Sequence, residues 1–189
     1  MEIGISPFSK AEYLTIFIAF VYGYVANEFF KGWGRIIRGK DRSPICGFHL
    51  AWSLLVFGIL IDFWWSSWER SEKLSSHIGY FSISLMPALI FYVVGVVLFP
   101  MKLGLRKFNT KEYFTNIFPL FLGLMMLLFA SNILTDLIYN KFYFFTTNNT
   151  FRIIAIILAG IGILIKKQFM YNIILLLGWT VLVSHYFII

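Results

Sequence analysis

Residues 49–68, HLAWSLLVFGILIDFWWSSW, form an apolar run broken by one carboxylate, Asp62, with a histidine at its start and four of the chain's six tryptophans along it. Twenty residues at about 1.5 Å of rise each match the roughly 30 Å hydrocarbon core of a bilayer. A run of that length suits lipid, and Asp62 then needs a reason to be inside it.

The rest of the chain repeats the pattern. It has 189 residues, of which 59% are hydrophobic, 20% aromatic and only 13% charged, whereas a soluble domain carries about 25% charged residues. Mean hydropathy is +0.79. Apolar runs at about 11–30, 46–66, 78–99, 113–138, 151–166 and 168–188 predict six transmembrane segments in one domain over residues 1–189. The fifth is near the lower length limit for a span. Unpaired backbone groups are costly in lipid and no segment alternates as a barrel strand does, so the spans are expected to be helices. The expected fold is an all-α, polytopic membrane bundle. The opening residues MEIGISPFSK lack the basic start and small-residue cleavage site of a signal peptide, so the first apolar run is read as a retained span.

Orientation follows from the basic residues. Between spans 1 and 2 lie Lys31, Arg35, Arg38, Lys40 and Arg42, between spans 3 and 4 lie Lys102, Arg106, Lys107 and Lys111, and Lys166 and Lys167 join spans 5 and 6. These are eleven of the sixteen; Lys10, Arg70, Lys73, Lys141 and Arg152 fall on the other side. The positive-inside rule places both termini outside the cytoplasm, in a plasma or inner membrane. The net charge of +7 is then mostly a cytoplasmic collar. Arg35, Arg38, Lys40, Arg42, Arg106 and Lys107 are the candidates for contact with anionic lipid head groups or a cytoplasmic protein partner, and nucleic acid is not expected. The single cysteine, Cys46, excludes an internal disulfide and a multi-cysteine metal site. Asn148-Asn149-Thr150 is formally a glycosylation sequon, read first as a polar loop.

An internal similarity spans one hundred residues. Residues 8–23, FSKAEYLTIFIAFVYG, align without gaps with 108–123, FNTKEYFTNIFPLFLG, matching at Phe8/Phe108, Glu12/Glu112, Tyr13/Tyr113, Thr15/Thr115 and Gly23/Gly123. Each opens on an N-cap residue, Ser9 or Asn109, with Glu three positions on, as in a capping box. GILID at 58–62 and GILIK at 162–166 extend the match to spans 2 and 5. Three spans separate the copies, so a genuine repeat would be an inverted 3+3 arrangement, as in many channels and transporters. Two ordinary helix starts would give the same first match.

Ionisable residues within spans are costly and serve as functional candidates. Asn27 and Glu28 lie late in span 1 and His49 early in span 2, at similar depth, where carboxylate and imidazole could hold a proton or simply join two helices. A second layer holds Asp62, Asn132 and Asp136, together with His77 and His185, which form a weak haem-ligand pair. The tryptophans after Asp62 read as an aromatic belt, so its burial should be partial. Gly58, one turn back, leaves room for a neighbouring helix. Ala19 and Gly23 in span 1, and Ala155, Ala159 and Gly162 in span 5, mark candidate close helix contacts, and Pro87 and Pro119 permit kinks. No metal, cofactor or catalytic motif is present in the sequence, and an enzyme is not expected. The sequence therefore points to an ion or small-solute pathway, formed by a homo-oligomer because a 22.0 kDa chain is small for a wide pore. The alternatives are an interaction or sensor subunit docking through the basic loops and, third, a haem or redox protein.

Overall fold

The computed structural model describes residues 9–38, 46–70, 76–99, 109–139, 146–165 and 167–188. They form six helices: α1 Lys10–Arg38, α2 Gly47–Glu69, α3 Ile78–Leu98, α4 Thr110–Tyr139, α5 Thr147–Ile165 and α6 Gln168–Ile188. Five are long and apolar enough to cross a membrane; the fifth in chain order, α5, has a shorter apolar stretch, Asn149–Ile165.

The helix starts follow local chemistry. At α1 the Ser9 amide donates to Glu12 Oε2 at 2.6 Å and the Glu12 amide to Ser9 Oγ at 3.2 Å, so the capping box is formed. At α4 the Glu112 amide donates to Asn109 Oδ1 at 3.2 Å. Beyond these caps the two starts diverge. Tyr13 is exposed, whereas Tyr113 donates through Oη to the Val97 carbonyl at 2.8 Å. Both α3 and α4 run unbroken through their prolines.

Two boundaries differ from the sequence reading. Helix α1 continues to Arg38, which puts Arg35 and Arg38 on the helix rather than in a loop. Gly32 does not end it, because the Phe99 ring fills the space where a Cβ would sit, and Ile36 is buried one turn on. Helix α5 starts at Thr147, so Asn149 and Thr150 belong to its first turn instead of a polar loop. The Thr146 hydroxyl caps that turn by accepting from the Asn149 amide at 3.1 Å.

Around the bundle the helices neighbour one another in the order α1, α3, α4, α5, α6, α2, and α2 also reaches α3 and α4. One face of α2 is sealed with aromatic rings. Phe29 of α1 is fully buried and packs on Trp33, Phe57 and Phe99, while Phe63 meets Phe91 of α3 edge-on. Near its start, Trp52 meets Phe118 and Phe121 of α4, and Phe118 lies against Tyr171 of α6. Small residues set the close approaches. A Cβ on Gly58 would meet Leu182 of α6 at 2.5 Å, and one on Gly162 would meet Ile174 and Leu122 at 2.8 Å. Gly23, by contrast, meets nothing within 4 Å. The small stripe of α1 is therefore not an internal contact at that position.

Candidate functional site

Between α2, α4, α5 and α6 the bundle is hollow. A cavity of ≈ 310 Å³ runs from Trp52 to Ser66 along α2, a length of about 21 Å for fourteen residues of helix. Its walls are mostly aliphatic: Leu55 and Ile59 from α2, Met125 from α4, Leu158 from α5, Leu177 and Val181 from α6. The volume is at the lower end for ligand pockets, and mostly apolar walls with a few polar groups are their usual make-up. On one flank Phe151 and Ile154 of α5 and Leu177 and Val181 of α6 both line the cavity and are 39% to 47% exposed. The cavity therefore reaches the surface sideways, between α5 and α6. These two helices approach closely at Gly162 and Ile174, near the other end.

Polar groups collect at the head of this groove. Asp62 Oδ1 lies 2.9 Å from His185 Nε2, and both residues line the cavity, as do Ser66 and Arg152. Ser66 follows Asp62 by four positions and so shares its helix face. Alongside, Asp136 of α4 accepts from Arg70 Nη1 at 2.9 Å and from Arg152 Nη1. Arg152 Nη1 also donates to Asn149 Oδ1 at 2.8 Å. With the Asn132 amide oriented oxygen-inward, it accepts from Arg152 Nε at 3.2 Å and Nη2 at 3.0 Å. That orientation follows from the donors around it. Arg70 also lies 5.8 Å from the centre of the Tyr139 ring, whose hydroxyl meets Ser84 at 2.7 Å.

The physical logic is charge matching in a region short of water. Buried guanidinium groups need carboxylates and acceptors, and a carboxylate this secluded needs donors. Asn132 and Asp136, one turn apart on α4, present acceptors on one face, and Arg152 enters from the second turn of α5 to meet them. Asp62 belongs to the same polar layer and is half-buried, as the sequence suggested. Gly58 admits α6, and Tyr186 of α6 donates to the Gly58 carbonyl at 3.0 Å.

Of the residues singled out in the sequence, Asp62, Asn132, Asp136 and His185 are brought together in this layer. Glu28 and His49 are given separate partners instead of each other. Glu28 Oε1 pairs with Lys31 Nζ at 3.0 Å. His49 is buried, its Nε2 lies 2.9 Å from the Leu98 carbonyl, and its ring packs on Phe99 and Phe114. It thereby satisfies a carbonyl that the end of α3 leaves free. Asn27 is partly buried on α1. Arg35 donates to the Phe99 carbonyl at 3.0 Å and Arg38 to the Gly34 carbonyl at 3.1 Å. Lys40, Arg42, Arg106 and Lys107 lie outside the described residues. His77 caps α3, its Nδ1 accepting from the Gly79 amide at 3.0 Å, while His185 is bound to Asp62, so the two histidines have different tasks. Among the described residues no group of three or more His, Cys, Asp or Glu side chains is placed to hold a metal ion.

In the sequence Arg70 and Arg152 count only as charges on the far side, Asn149 only as part of a sequon or polar loop, and Ser66 carries no signal. One signal was available: Asn132 and Asp136 at i and i+4 form an acceptor pair that calls for a buried cation, and Arg152 opens the next span. Comparison of the chain with protein-family models, with curated proteins and with solved structures returned no match.

Proposed function

We propose that this chain provides a small-solute pathway in a plasma or inner membrane, with the groove between α2, α4, α5 and α6 as the station where the solute binds. The observation that carries this reading is the groove's combination of an apolar body, a polar head and an open flank. A solute with an apolar part can reach the groove from the bilayer between α5 and α6 and bring its polar part to Asp62, His185, Ser66 and Arg152. The inverted repeat and the placing of both termini outside the cytoplasm belong to the same proposal, with the groove's head towards the outer side.

Transfer of a short-tailed fluorescent amphiphile across reconstituted liposomes tests it. The parent protein should transfer faster than protein-free liposomes, and Ala155→Phe, which fills the groove, should abolish the gain without lowering the unfolding temperature. Asp62→Asn should change the rate. Glu28→Gln should leave it alone, because Glu28 faces Lys31 and not the groove. Transfer that is indifferent to Ala155→Phe and Asp62→Asn would end this reading. A homo-oligomer is part of the proposal, and native mass spectrometry from mild detergent tests it: a closed assembly of several copies supports a shared pathway, and a monomer restricts the pathway to one chain.

A second reading, an interaction subunit docking through its basic cytoplasmic collar and anionic head groups, rests on Arg38, exposed at the end of α1. Neutralising Arg38 should then abolish co-purification of a partner without unfolding the protein; unchanged recovery would count against it.

A further inference from the structure

The head of the groove has a particular charge count. Two guanidinium groups, Arg70 and Arg152, share one carboxylate, Asp136. The second carboxylate, Asp62, is bound to His185. With both carboxylates ionised and His185 neutral, the layer carries no net charge. A neutral His185 donates its Nε2 hydrogen to Asp62, which leaves Nδ1 as an acceptor. Protonation turns Nδ1 into a donor and gives the layer one positive charge.

Hydrogen-bond capacity agrees with the charge count. Arg152 has five N–H donors. Two on Nη1 go to Asp136 and Asn149, while Nε and one on Nη2 go to Asn132. One Nη2 hydrogen is left at a side chain that borders the cavity. The Ser66 hydroxyl borders it too and has no bond to another of the described residues. The head thus offers donors from Arg152, Ser66 and protonated His185, and it lacks one negative charge once His185 is protonated.

We propose that the groove binds a single-tailed amphiphile with a monoanionic oxyanion head, a carboxylate or a singly protonated phosphate monoester, and that each head is accompanied by one proton, taken up by His185. This rests on the groove being the binding station. The tail lies along Leu55, Ile59 and Leu158, and the head sits among Ser66, Arg152 and His185. His185 is paired with Asp62 of α2 and adjoins Tyr186 on α6; the other charged or titratable groups of the layer are Arg70 just after α2, Asp136 of α4 and Arg152 of α5, and Arg70 and Arg152 both act on Asp62. An amine head would meet the Arg152 guanidinium at the cavity's head, so cationic amphiphiles should bind more weakly than anionic ones.

Native mass spectrometry of the full chain in nonionic detergent tests this, with dodecanesulfonate, dodecanol and dodecylammonium as probes. The sulfonate keeps its charge throughout. Its affinity should rise about tenfold per pH unit as pH falls, the slope of one linked proton. Dodecanol should bind with no slope. His185→Gln should flatten the sulfonate response at its weak, high-pH level. Asp62→Asn should flatten it at the tight level, because the guanidinium excess is then unmatched without a proton. Dodecanoate and dodecyl phosphate at one pH identify which oxyanion is preferred, and preference for either over dodecanol supports the proposal. Equal affinities for sulfonate and dodecanol, or a slope that survives His185→Gln, would overturn it while leaving the groove reading in place. Binding of every probe unaffected by Ala155→Phe, or no binding at all, would remove the groove reading as well.

Discussion

Helix α2 has two faces built on opposite terms. Towards α1 and α3 it is sealed: Phe57 packs among Phe29, Phe30 and Trp33, and Phe63 meets Phe91. Towards α4, α5 and α6 it borders a cavity of ≈ 310 Å³ through Leu55, Ile59, Asp62 and Ser66. On the sealed side polar contacts are few, as where Trp33 Nε1 donates to Ser53 Oγ at 2.9 Å. On the hollow side they form a network of buried charges with donors to spare. The contrast teaches where this bundle spends stability on rigidity and where it leaves room for something else.

Four substitutions sharpen or break that contrast, read by thermal or denaturant unfolding in detergent. Asp136→Asn should have the largest effect, a loss of about 3–5 kcal/mol, because two guanidinium groups lose their shared carboxylate in a secluded layer. A loss under about 1 kcal/mol, the scale of an exposed pair, would mean that water reaches the layer freely. Gly32→Val comes next at about 1–3 kcal/mol, the usual effect of overpacking, because its side chain collides with the Phe99 ring on the sealed side. Tyr186→Phe should lose about 0.6 kcal/mol, typical of one hydrogen bond within a membrane bundle. Ala155→Phe should be the mildest, with no measurable loss, since the new ring enters empty space. If Ala155→Phe destabilised as much as Gly32→Val, the two faces would not differ and the hollow would lose its meaning.

Much of this was legible in the sequence. The six helices follow from apolar length alone, which is a strong signal because the bilayer fixes the length a span must have. Asp62, Asn132, Asp136 and His185 were legible as one layer because residue count along antiparallel spans gives depth. Lateral position was not. Spans apolar on every face do not say which neighbour they meet, so the order of helices around α2 and the groove itself were hidden. Glu28 and His49 were expected at a similar depth, yet they serve different neighbours, Lys31 and the Leu98 carbonyl. The extension of α1 was missed because the apolar run ends near residue 30 and the basic residues after it read as a loop; in the structure Phe99 docks at Gly32 and Ile36 is buried beyond it. Arg152 was missed because a basic residue next to an apolar run looks like a topology signal until the acceptors opposite it are known.

The short apolar stretch of α5, Asn149–Ile165, has a mechanical consequence for the surrounding lipid. Seventeen helical residues cover about 26 Å, less than the roughly 30 Å core of an average bilayer. If α5 spans the bilayer as proposed, the membrane beside it must thin or its lipids must tilt to meet the helix ends. That deformation falls along one edge of the groove's open flank. On the proposed reading, lipid tails there would be strained, which would lower the work of drawing one into the groove. Thickness thus becomes a control variable: in membranes thin enough to match α5, the strain and the help it gives both vanish.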